Sequence, residues 1–135
     1  MVKIINKLKN KKGFTLIELI VVLAVLGIIM AIAVPRFVGI RESAKLDADY
    51  ATGALIAKAA ELYVVQKDNN VSTVTADKLV EDNYIDDFTL QSSDFSKADP
   101  DDITITITRG SNDMSAKFVV TVKVGETTKT LYPSN

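Results

Sequence analysis

The chain has 135 residues, 47% hydrophobic and 24% charged, with 16 Lys and Arg against 17 Asp and Glu for a net charge of −1. That is about one domain's worth of chain, and its balance excludes a strongly basic nucleic-acid binder and a highly charged disordered tail. Cys, His and Trp are absent, which removes disulfide scaffolds, thiolate metal sites, Cys nucleophiles and the commonest general base.

The placement of residues is far less even than these averages. Residues 1–13 hold Lys3, Lys7, Lys9, Lys11 and Lys12 and no acid. From Phe14 to Val34 only Thr15 and Glu18 are clearly polar. A helix crosses a bilayer core with about 20 apolar residues, so this run is long enough. The lysines before it predict a cytoplasmic N-terminus, with the rest of the chain outside. Three readings compete. A secretory signal peptide would be cut after the small-x-small site Ala31-Ile32-Ala33. A single-pass anchor would keep everything. A precursor cut between Gly13 and Phe14 would lose only the lysines. The small Gly13, lying between the charge and the apolar run, favours the third.

Glu18 is the exception within the run. A carboxylate at mid-membrane costs about 2.5–3.5 kcal/mol or more. One reading places it near enough to the cytoplasmic end to reach headgroups or water. The other gives it a partner: cleavage after Gly13 creates an α-ammonium on Phe14, one helical turn away. That amine can pair with Glu18 of its own chain or of a neighbour. Pairing between chains neutralises both charges in an apolar interior and sets the stagger of packed helices.

The run Lys12-Gly13-Phe14-Thr15-Leu16-Ile17-Glu18, followed by Leu19-Ile20-Val21-Val22 and Pro35, resembles the N-terminal signature of type IV pilins and pseudopilins. The match is close over residues 9–40 and extends beyond them only in layout. The resemblance implies cleavage between Gly13 and Phe14 by a prepilin peptidase and N-methylation of Phe14 by the same enzyme. It also implies contact between Glu18 and a neighbour's N-terminus during assembly. The apolar helix then lies among lipid tails in the precursor and among copies of itself in a filament.

Beyond Pro35 the pattern becomes amphipathic. Phe37, Ile40, Ala44, Ala48, Ala51, Leu55, Ala59 and Leu62 recur at helical spacing, widened by Tyr50, Ile56, Tyr63 and Val64. This stripe reads as core packing, with one part holding a globular head and another facing neighbouring subunits. A helix from about Thr15 to Asp68 is roughly 80 Å long. Gly27 and Pro35 are its weak points, sites of a kink or local opening. The pilin resemblance suggests that this stretch unwinds in a filament and lends it extensibility. Asp68-Asn69-Asn70 ends the helix, and Asn70-Val71-Ser72 is an N-x-S tripeptide of a kind frequent by chance.

The head begins with a short helix over residues 75–85, capped by Thr75. Residues 86–102 read as an acidic loop; from Asp77 to Asp102 there are nine acids against Lys78 and Lys97. Asp99, Asp101 and Asp102, or Asp86 and Asp87, offer the carboxylate oxygens calcium prefers, and some pseudopilins hold calcium. The spacing is not an EF-hand loop, and a solvated loop explains it; no metal or cofactor is expected. Period-two alternation then predicts strands over Ile103–Thr108, Phe118–Val124 and Thr127–Tyr132. The turns are Gly110-Ser111-Asn112-Asp113 and Gly125-Glu126.

The expected architecture is α+β and ladle-like: a leader over residues 1–13, a transmembrane and assembly helix over 14–35, and an amphipathic helix with head over 36–135. The head's antiparallel sheet has about three strands. Many pilins close a C-terminal loop with a disulfide, which this chain cannot do. The expected function is a structural pilus subunit with no catalytic residues, used for adhesion, motility or biofilm. The alternative is a pseudopilin of a type II secretion or competence DNA-uptake system. The implied partners are identical subunits, prepilin peptidase, an assembly platform with its ATPase and, for the precursor, the membrane, but no nucleic acid. The expected location is a single-pass membrane precursor, then an extracellular pilus.

Overall fold

The computed structural model describes residues 13–67, 70–96, 98–109 and 116–133. The lysine leader, Asp68-Asn69, Lys97 and the turn at 110–113 lie outside these residues. Helix α1 (Leu16–Gln66) is followed by β1 (Thr73–Thr75), α2 (Ala76–Glu81), a 3-10 turn (Pro100–Asp102), β2 (Ile103–Arg109), β3 (Ala116–Val124) and β4 (Thr127–Tyr132). The chain divides into two compact units, one ending at Gly39 and one from Ile40 onward.

In the first unit the chain is helical from Leu16, and the helix continues through Gly27 and Pro35. Every residue from Gly13 to Gly39 is exposed. By length and composition this is a helix able to cross a membrane.

In the second unit, residues 40–66 of α1 pack on a four-stranded antiparallel sheet of order β1-β2-β3-β4. Strand alternation sends Ile103, Ile105, Ile107, Val120 and Val122 inward, where all are buried. Thr104, Thr106 and Thr108, which alternate with the isoleucines along β2, lie on the other face. Gly125, at φ +64°, supplies the left-handed residue of the β3–β4 turn. The fourth strand, β1, is additional to the three expected. It pairs Thr73, Val74 and Thr75 with Thr106, Ile105 and Thr104. Three residues are too few for a period-two signal.

Thr75 caps α2, its hydroxyl accepting from Lys78 N–H. The helix ends at Glu81, short of the expected Ile85. Asn83 takes a positive φ of 59°, and the N–H of Tyr84 reaches back to the carbonyl of Leu79 at 2.8 Å. This left-handed closure forbids another turn.

Only part of the widened amphipathic stripe packs on the core, through Ile56, Ala59 and Val64, with Tyr50 and Tyr63 against its edge. Of the eight residues that define the stripe, only Ala59 is buried; Leu55 is 61% exposed and Leu62 53%. The face on the sheet carries Asp49, Gly53, Ile56, Ala57, Ala60 and Val64. Small residues occupy it because the backbones approach closely. A Cβ on Gly53 would lie 2.7 Å from Leu131 Cγ and 2.9 Å from the Leu131 carbonyl oxygen. A bulge in the β3–β4 pairing, between Val120 and Thr121, leaves Leu131 unpaired in the ladder and fully buried.

The stretch 86–99 is more than a solvated loop. Leu90, Ser92 and Phe95 are buried, and the Phe95 ring meets Tyr50 of α1 edge-on at 6.3 Å between centroids. Asp49, 1% exposed, accepts from the N–H of Gln91 at 2.7 Å and of Ser92 at 2.8 Å. Glu42, one heptad earlier, accepts from the N–H of Ser93. Asp94 pairs with Lys129 of β4 at 2.8 Å.

Two glycines of α1 give opposite expectations. Gly53→Ala should destabilise the protein by about 1–3 kcal/mol through overpacking against Leu131. Gly39→Ala, with nothing within 4 Å of its added Cβ, should stabilise by about 0.5–1 kcal/mol. Denaturant unfolding of the full chain in detergent reads both.

Candidate processing and assembly segment

The sequence signature maps to the point where α1 begins. Gly13, Phe14 and Thr15 precede the helix, and all are exposed, Phe14 at 83%. The Gly13–Phe14 bond therefore lies in exposed chain ahead of the helix. Glu18 sits in the first turn of the helix, where a carboxylate is favoured by the helix dipole.

Glu18 already has a local partner. Its Oε2 accepts from the backbone N–H of Thr15 at 2.7 Å and from the Thr15 hydroxyl at 2.8 Å. In return the Thr15 oxygen accepts from Glu18 N–H at 3.3 Å. This is a capping box: two donors left free at a helix start are satisfied by residues three apart. Sequence reading singled out Glu18 but missed Thr15 as its partner. The signal was present in the Thr-x-x-Glu spacing ahead of an apolar run. The arrangement lowers the cost of a carboxylate at this position while its second oxygen is left for another donor.

The other candidates are dispersed. Gly27 and Pro35 lie within α1. The acidic residues of the head are engaged in local structure. Asp102 Oδ2 accepts from the N–H of Asp99 at 3.3 Å across the 3-10 turn. Asp101 faces Asp77; loss of solvent pushes the Asp77 carboxyl above its ordinary value, and the like charges of Asp101 and Glu81 add to this. Asp86 and Asp87 are exposed. Among the described residues, no three carboxylates converge where a metal could be held. Asn70, the N-x-S asparagine, is exposed.

Comparison with known proteins bears on this same segment. Residues 8–34 match the family described as "Prokaryotic N-terminal methylation motif". The chain is 47% identical over 55 residues to the "Type IV narrow pilus major component PilA5" of Thermus thermophilus, covering 41% of this chain and 47% of that protein. It is 41% identical over 76 residues to the "Prepilin peptidase-dependent protein A" of Clostridium perfringens, covering 56% and 54%. The chain thus spans about half the length of these relatives. No solved structure matches.

Over its N-terminal segment the chain carries the methylation signature and is similar to a type IV pilus component and to a prepilin peptidase-dependent protein.

Thr15→Val should loosen the helix start, because the hydroxyl both donates to Glu18 and accepts from its N–H. Amide exchange of residues 16–19 should accelerate roughly fivefold, with that of β3 unchanged. Hydrogen-exchange mass spectrometry of the full chain in detergent checks this.

Proposed function

We propose that this chain is a type IV pilin. It is made as a membrane precursor with its N-terminus in the cytoplasm. A prepilin peptidase cuts it between Gly13 and Phe14 and N-methylates Phe14. It then polymerises into an extracellular helical filament of identical subunits that serves adhesion, motility or biofilm. An assembly platform and its ATPase supply the energy, and this chain contributes structure and not catalysis.

One observation carries the reading. Past the membrane-length run, in the unit from Ile40 onward, α1 keeps an apolar stripe on the side away from the sheet: Ala44, Ala48, Ala51, Leu55, Leu62 and Val65, the last 70% exposed. A helix that served only as an anchor would carry polar residues there, since water would cover them. A helix that packs among copies of itself needs an apolar stripe. Glu18 fits the same reading: after cleavage its carboxylate meets the new ammonium of a neighbour's Phe14, and both charges leave water together. A pseudopilin of a secretion or DNA-uptake system would use the same chemistry in a short fibre.

Filaments sheared from the cell surface and measured by intact mass should contain a chain beginning at methylated Phe14. A chain beginning at Val34 would contradict the proposal. Long surface filaments under immuno-electron microscopy support the pilin, and their absence beside a correctly processed chain supports the pseudopilin. Glu18→Ala should insert into the membrane normally and lower filament yield by roughly a hundredfold. Normal yield would remove the pairing role.

A further inference from the structure

The two acids of α1 that reach the 86–99 segment are spaced like a pair of fingers. Glu42 and Asp49 lie seven residues apart, two turns along one side of the helix. Between them they take three successive backbone N–H groups, those of Gln91, Ser92 and Ser93. Asp49 has both oxygens occupied and almost no solvent contact. Its charge is met by amide dipoles, with no ion pair to it among the described residues. Lys45 is the cation beside Glu42, at 3.6 Å. On the segment's side Asp94 forms an ion pair with Lys129 of β4 at 2.8 Å. The Lys129 ammonium also lies 5.7 Å from the centre of the Phe95 ring.

Closure carries a penalty. The Ser92 hydroxyl is buried with no hydrogen-bond partner among the described residues, so docking the segment strips a polar group of water without replacing it there. The closed form is thus held by the two carboxylates, by the buried Leu90 and Phe95, and by the Asp94–Lys129 pair, and is opposed by one hydroxyl. The carboxylates are the groups that hold the segment's backbone, so neutralising them frees its three successive amides.

We propose that Glu42 and Asp49 form a carboxylate clasp that keeps residues 90–96 closed on α1, and that acid opens it as a unit while the sheet stays folded. Opening frees Phe95 from Tyr50 and changes the apolar surface beside α1, so the head has two surface states selected by proton concentration. The sign follows from Glu42. The Ser93 N–H, with the Ser93 side chain adding to it, holds the Glu42 carboxyl below its ordinary value. A carboxyl lowered on docking stabilises the docked form above its free value and loses that contribution as pH falls through the docked one.

The test is amide exchange by NMR on the full chain in detergent micelles, expressed as protection factors so that the intrinsic pH dependence of exchange cancels. Between about pH 7 and about pH 3.5, protection at Gln91, Ser92 and Ser93 should fall at least roughly tenfold, while Val120 and Val122 keep theirs. Glu42→Gln should abolish most of the acid response at Ser93. Asp49→Asn should leave the segment open at pH 7 with the sheet intact. Ser92→Ala, which removes the orphan hydroxyl, should raise protection at all three amides and move opening to lower pH. Three results would overturn the proposal: no protection at these amides at pH 7, protection that persists in acid, or loss only together with Val120 and Val122. A Ser92→Ala variant that opens more readily would overturn it as well.

Discussion

The constraint behind this molecule is that it carries more apolar helix surface than its head can cover. The head buries one narrow face of α1, from Asp49 to Val64. Every side chain from Phe14 to Ile40 is left outside, as are Leu55, Leu62 and Val65. Apolar surface of this extent is unfavourable in water in proportion to its area. Something apolar must therefore surround it wherever the chain resides. On the proposed function, lipid serves for the first part and copies of the same helix serve for all of it.

The head's construction follows from how closely α1 approaches the sheet. Gly53 lets the helix backbone come down on β4 beside Leu131, which the bulge leaves out of the ladder and buried. A contact built from small residues buries little area per residue, and polar docking fills the remainder. Asp49 and Glu42 attach the 86–99 segment to the helix, while Lys129 and Phe95 attach it to β4. With no Cys in the chain, these contacts do the work of a covalent closure. At the other end of α1, the Thr15–Glu18 box spares the carboxylate the full cost of standing unpaired in an apolar run.

The sequence revealed some of this and hid the rest for physical reasons. β2, β3 and β4 were legible because isoleucine and valine alternate with threonine and lysine, and Gly125 marks the turn. Thr75 was legible as a cap. β1 was not, because three residues give no alternation, and α2 was read too long because Asn83 in a left-handed conformation leaves little trace in composition. The helix stripe was only partly assigned because α1 is apolar on two sides: periodicity finds both and does not say which meets a sheet. Asp49 was invisible as a buried acceptor among the other charges of an amphipathic helix, and the 86–99 segment looked soluble because its acids outnumber Leu90 and Phe95. The N-terminal signature was legible as a pattern, while the Thr15–Glu18 capping box within it was passed over.

The absence of native cysteine allows a direct probe of where the outer stripe of α1 goes. A single Leu62→Cys variant should react freely with a maleimide as a detergent-solubilised subunit. In intact filaments it should react roughly tenfold or more slowly, because a site at the core of a packed interface is shielded from water. Equal labelling in filaments and in the free subunit would contradict burial of this stripe between copies.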